Sequence, residues 1–173
     1  MNKMQIFGVI IATRNIFNFR LAVDARKKVL ERLKNMGFGT VVLPEKETPT
    51  GNIEGYPDAV KCADLFKKNS DIIEGIIVIL PNFGDELGVV NSISMSGLKV
   101  PVLVQACDDE NDKVDVKSRR DAFCGKLSVC NNFYQYGIKF TDTVYHTYSL
   151  DSEEFTADIL WFAGICRVVK GFK

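Results

Sequence analysis

The chain has 173 residues, 46% apolar and 25% charged, the proportions of one ordinary globular domain that can bury a core without staples. Twenty-two basic residues balance 22 acidic ones, and this neutrality argues against nucleic acid as a partner, which calls for a basic excess. No apolar run approaches the ~20 residues of a membrane span. The start, Met1-Asn2-Lys3-Met4-Gln5, leads into a strand-like run without a small-residue cleavage site, so a cytoplasmic protein without signal peptide or membrane partner is expected.

Ile6 to Ala12 (IFGVIIA) is a continuous β-branched run, as in a strand buried on both faces. Arg20 to Met36 carries Ala22, Ala25, Val29, Leu33 and Met36 at helical spacing, with Lys27, Lys28, Glu31 and Lys34 opposite. Gly37 stops that helix, and Thr40 to Leu43 reads as a second strand ended by Pro44. The polar stretch Glu45 to Gly55 (EKETPTGNIEG) is a loop long enough to lie near a site. Asp58 to Lys68 reads as helix and Ile76 to Leu80 (IIVIL) as the most apolar strand. A helix over Glu86 to Ser96 and a fourth strand over Val100 to Ala106 follow. Ser118 to Val129 reads as helix, and Thr143 to Tyr148 as a short, wetter fifth strand. Asp151 or Ser152 caps a last helix with Phe155, Ile159, Phe162, Cys166 and Val169 on one stripe.

Strands alternating with helices imply an α/β fold: a three-layer α-β-α sandwich around a mostly parallel sheet of four or five strands, flavodoxin-like or Rossmann-like. Ligands on such sheets sit beyond the C-terminal ends of the strands, near the switch in strand order. The loops to inspect are therefore Thr13 to Phe19, Pro44 to Tyr56, Pro81 to Asp85 and Gln105 to Asp109.

The first loop, Thr13-Arg14-Asn15-Ile16-Phe17-Asn18-Phe19, has no glycine, which disfavours a dinucleotide site. Arg14 is placed to grip a hydroxyl-rich or anionic ligand, or to sit as a surface arginine. In Leu80-Pro81-Asn82-Phe83-Gly84-Asp85-Glu86, Asn82 or Asp85 can cap the following helix. Alternatively, Phe83 supplies an apolar wall and Asn82 a hydrogen bond to a sugar-like ligand. In Asn131-Asn132-Phe133-Tyr134-Gln135-Tyr136-Gly137, amides alternate with aromatics, which suits carbohydrate recognition or an amide-rich helix end. Asp108-Asp109-Glu110 reads as a solvated turn or a hard-cation site. Five scattered cysteines without a CxxC read as reduced, buried thiols, and no local zinc or transition-metal cluster appears. His146, the one histidine, has no evident partner, and neither GxSxG nor HExxH is present. No catalytic or metal-ligating residue is assigned.

The combination of IIATRNIFNF, LPNFGDE, VLVQACDDE and GKLSVCNNFYQYGIKFT, closed by DSEEFTADILWFAGICRVVKG, resembles the N-terminal domain of the L-fucose/L-arabinose isomerase family. The likeness is nearest to the L-fucose isomerase-related proteins. It implies that residues 1–173 form one α/β domain, the N-terminal piece of a longer aldose–ketose isomerase. Manganese ligands and acid/base carboxylates would lie in later domains, leaving this chain inactive alone and without a bound cofactor. It further implies substrate contact with an open-chain sugar through Arg14 and Phe83, with Asn132, Tyr134 and Gln135 in the same neighbourhood. A homo-oligomer whose domains complete one another's sites is implied too. The alternative is a self-contained sugar- or sugar-phosphate-binding α/β module without catalysis.

Overall fold

The computed structural model describes residues 4–172. Met1 to Lys3, part of the segment read for a signal peptide, and Lys173 lie outside the described residues. The chain runs β1 (Ile6–Ile11), α1 (Phe19–Asn35), β2 (Gly39–Val42), α2 (Tyr56–Lys68), β3 (Ile73–Leu80), α3 (Glu86–Ser96), β4 (Val102–Ala106), α4 (Ala122–Gln135), β5 (Thr141–Asp142) and α5 (Glu153–Gly171). A 3-10 turn at Glu45–Glu47 interrupts the β2–α2 loop. All five strands are parallel, in the order β2-β1-β3-β4-β5. The expected three-layer α/β sandwich is therefore present, with its strand order reversing between β1 and β3.

Strand side chains alternate between faces, and each face carries its own core. Phe7, Val9, Ile11, Ile77, Ile79 and Leu103 pack with Val29 and Leu33 of α1 and with Phe155, Ile159 and Phe162 of α5. Ile10, Ile76, Val78, Val102 and Val104 pack on the other side with Phe66 of α2, Val90 and Ile93 of α3, and Val129 and Phe133 of α4. Gly8 makes room for one of these rings, since a Cβ there would lie 2.9 Å from Phe66 Cζ. Among the described residues no helix is long and apolar enough to cross a membrane.

Two elements differ from the sequence reading. The helix expected over 118–129 runs from Ala122 to Gln135 instead. Asp109 accepts from the backbone nitrogens of Ala122 (3.0 Å) and Phe123 (3.3 Å) and so fixes the start. Asp121 just before it takes a left-handed conformation (φ 50°). Phe133, fully buried, carries the helix's inward stripe one turn beyond Val129. The fifth strand covers two residues rather than the expected 143–148. There the buried Lys126 ammonium donates to Thr143 Oγ1 (2.6 Å) and the His146 carbonyl (2.9 Å), curling the chain off the sheet.

Candidate functional site

The C-terminal edge of the sheet is built from the loops that follow β1, β3 and β4. Where neighbouring strands send their connections to opposite faces, those loops part and leave a crevice. Here the switch lies between β1 and β3, and residues 13–18 and 81–85 are the loops that leave those two strands.

Asn82 ties these two loops together. It is fully buried, donates from Nδ2 to Thr13 Oγ1 (2.8 Å) and to the Asn18 carbonyl (3.4 Å), and accepts from the Gly84 nitrogen (3.1 Å). Its amide is thus occupied by the protein. The cap of α3 is Asp85, whose Oδ1 accepts from the Gly88 nitrogen at 2.5 Å. Burial raises the Asp85 carboxyl above its usual range, while the Gly88 N–H and the Arg14 charge oppose that shift.

Arg14 ion-pairs with Glu86 at the start of α3. Its guanidinium carbon lies 4.6 Å from the centroid of the Phe83 ring. Phe83 stacks on Phe17, with centroids 6.0 Å apart and planes at 10°, and Arg119 lies 5.9 Å from the Phe17 ring. Each of the two stacked rings thus carries one cation over it, an arrangement favoured by the rings' negative faces. Arg14 and Phe83, singled out from the sequence, are neighbours. Phe83 seats the guanidinium.

A crevice of about 360 Å³ that none of these four residues lines opens between α1 and the loops after β4 and before α5; its lining includes Asp24, Lys28, Cys107, Asp108, Glu110 and Arg120. Arg120 spans its wall, donating to the Pro81 carbonyl (3.0 Å) and to Glu110 (3.2 Å). Lys28 pairs with Asp151 at 2.5 Å across the mouth. Burial pushes the Cys107 thiol up to about 11, so it stays protonated at neutral pH. The Asp108-Asp109-Glu110 turn divides its labour: Asp108 lines the crevice, Asp109 caps α4 and Glu110 holds Arg120. No group of three or more His, Cys, Asp or Glu side chains among the described residues could hold a metal ion. His146 lies in the loop after β5 with its ring 5.2 Å from Phe123.

Asn132, Tyr134 and Gln135 are not brought to this site. They form the last turn of α4, which leads into β5 and therefore ends at the N-terminal edge of the sheet. The 14 residues of α4 separate its two ends by about 20 Å. Asn132 donates to the Ser128 carbonyl (2.9 Å), and Tyr134 and Gln135 project into solvent.

Sequence reasoning missed Phe17, Arg119, Arg120 and Gly125. The last matters because α4 passes hard against the β3 loop: a Cβ at Gly125 would stand 1.9 Å from the Phe83 carbonyl oxygen. The available signals were two adjacent arginines after the acidic turn and a glycine inside a helical stripe.

The open parallel sheet, with its strand order reversing between β1 and β3, defines a doubly wound α/β domain. Residues 8–173 match the family model described as fucose/sulfoquinovose isomerase, N-terminal domain, and the chain belongs to that family. Comparison with curated proteins and with solved structures gave no match.

Proposed function

We propose that this chain is the substrate-contacting N-terminal part of an aldose–ketose isomerase of the L-fucose, D-arabinose or L-arabinose type. In this reading Arg14 donates hydrogen bonds to hydroxyls of the open-chain sugar while the Phe83 edge packs against its C–H groups. The Glu86 carboxylate and the Phe83 ring hold the guanidinium in one orientation, so little side-chain freedom is lost on binding. Asn82 keeps both loops in register. The observation that supports the reading best is Arg14 laid over Phe83 at the strand-order switch of a chain of this family.

Proton transfer between C1 and C2 needs an acid/base pair, which we place outside this chain, together with the ligands of the manganese that the resemblance implies. The residues described here do not form a metal site, and no step is assigned to a metal on them. The domain completes its site in an oligomer, against the acid/base residues of a neighbouring subunit.

A second reading, a self-contained sugar- or sugar-phosphate-binding module, is supported by Lys28 and Arg120 among the residues lining the crevice. The gene product purified from its own source separates the two. Incubated with manganese and L-fucose, D-arabinose or L-arabinose, it is expected to interconvert aldose and ketose and to show an intact mass well above that of 173 residues. Binding without turnover, in a protein of this length, would establish the module instead.

A further inference from the structure

We infer, on the reading of Arg14 and Phe83 as sugar contacts, that residues 111–118 form a lid that closes over them when the sugar binds. The segment Asp108 to Asp121 (DDENDKVDVKSRRD) leads from β4 to α4, and connections this long without secondary structure of their own are mostly functional. Both of its ends are pinned. Asp109 accepts from the first backbone nitrogens of α4. Arg120 donates to Glu110 Oε1 (3.2 Å) and to the Pro81 carbonyl (3.0 Å). Behind them α4 presses on the β3 loop so closely that Gly125 has no room for a Cβ. The base of the segment is therefore rigid and fixed to the loop that carries Phe83.

The tip is held only by itself. The Lys113 nitrogen donates to the Glu110 carbonyl (3.0 Å), the Ser118 and Arg119 nitrogens to the Asp115 carbonyl (3.0 and 2.8 Å), and the Lys117 nitrogen to Asp115 Oδ1 (2.9 Å). Among the described residues, no hydrogen bond or ion pair joins 111–118 to the body of the domain. A rigid base with a self-contained tip is the build of a loop that moves as a unit. Val114 and Val116 are the only apolar residues between Cys107 and Ala122, and they stand 76% and 45% exposed. Next to the stack, Ile16 and Phe19 are likewise 60% and 49% exposed. Arg119 already lies 5.9 Å from the Phe17 ring, and three extended residues span about 11 Å, so Val116 is within reach of Ile16. Closing buries these apolar side chains against one another and shuts water from the sugar. The charges of the tip, Asp112, Lys113, Asp115 and Lys117, cancel, so it approaches the Arg14–Glu86 pair without net repulsion. Ordering the tip costs conformational entropy, and contact with bound sugar tips the balance toward the closed form.

Oxidative trapping tests closure without any sugar. In a Cys124→Ser background, which removes the exposed thiol, Ile16→Cys with Val114→Cys should cross-link within one chain about tenfold faster than Tyr134→Cys with Val114→Cys. Tyr134 lies at the far end of α4 and serves as the control. Equal rates overturn the lid. Amide exchange with and without the sugar alcohol L-fucitol, at tens of millimolar, then ties closure to the site. Exchange in residues 111–118 is expected to slow about fivefold on binding. Val114→Asp, at a solvent-facing position, should cancel that slowing and weaken L-fucitol binding about threefold, with an unchanged circular dichroism spectrum. L-fucitol that shifts residues 13–19 yet leaves exchange in 111–118 unchanged overturns the lid and leaves the sugar reading standing. L-fucitol that shifts nothing removes the sugar reading, and the cross-linking rates alone then decide whether the tip closes over the stack.

Discussion

The two ends of the sheet are held by different means. At the C-terminal edge, side chains reach across from loop to loop: Asn82 to Thr13, Arg120 to Pro81, Asp109 to the start of α4, Arg14 to Glu86. At the N-terminal edge the chain turns mainly on backbone conformation, with Gly37, Gly97 and Gly137 at positive φ just after α1, α3 and α4, and the side-chain links there, Arg167 to Gln5 and Lys170 to Glu74, run from α5 and not from loop to loop. A Cβ at any of these three would touch nothing within 4 Å. The groove there, about 530 Å³, is lined by Leu98, Pro101, Tyr136, Ile138 and Phe140 together with Lys99, Lys139 and Thr141. Side-chain cross-links fix the position of charged and aromatic groups, which recognition needs, whereas glycine turns only reverse the chain.

Equivalent substitutions at the two ends should therefore have unequal costs. Gly125→Ala is expected to destabilise by about 3 kcal/mol, because the new methyl group collides with the Phe83 backbone. Gly137→Ala, with open space around it but φ +68°, should cost about 1 kcal/mol. Urea unfolding of both variants checks the difference, and equal losses would break the comparison.

Alkaline pH sharpens it. Burial raises the Cys107 thiol, at the crevice, to about 11, and raises Cys62 in the core to about 12, both from 9.0. Between those values and 9 the folded chain keeps protons that the unfolded chain has lost, so stability falls as pH rises. The slope is about 1.4 kcal/mol per unit for each thiol. Below pH 8 this contribution is flat. Cys107→Ala should remove its share, roughly 2 kcal/mol between pH 9 and 11, as read from urea midpoints across that range.

Asn82→Ala is expected to cost about 2 kcal/mol, since it leaves the Gly84 nitrogen and the Thr13 hydroxyl without this partner. Amide exchange should then quicken in residues 13–18 and 82–85 more than elsewhere. Uniform quickening would mean that Asn82 supports the core and not the two loops.

The parts of the fold legible in the sequence were those decided locally. The β-branched runs at Ile6–Ala12 and Ile76–Leu80 and the amphipathic stripe of Ala22 to Leu33 lie where periodicity places them. The register of α4 was not legible, because a carboxylate thirteen residues upstream, Asp109, sets its start. The short β5 depends on Lys126 reaching across from α4, which no local pattern signals.

The site divides the same way. Arg14 and Phe83 follow strand ends, where topology alone predicts ligands. Asn132, Tyr134 and Gln135 have side chains suited to sugars, yet a residue at the end of a helix in a parallel sheet arrives at the opposite edge. Topology outweighs residue type there. Phe17 and Arg119 join the stack only through tertiary contact.

In the proposed reading, sugar contact belongs to the C-terminal edge. Its most direct test is a ¹H–¹⁵N titration of the chain with L-fucitol, the open-chain alcohol of L-fucose, up to tens of millimolar. Shifts are predicted in residues 13–19, 82–86 and 107–110, and their loss in Arg14→Ala, whose stability should change by less than about 0.5 kcal/mol. Shifts centred on Asn132 to Gly137, or shifts unaltered by Arg14→Ala, would contradict it.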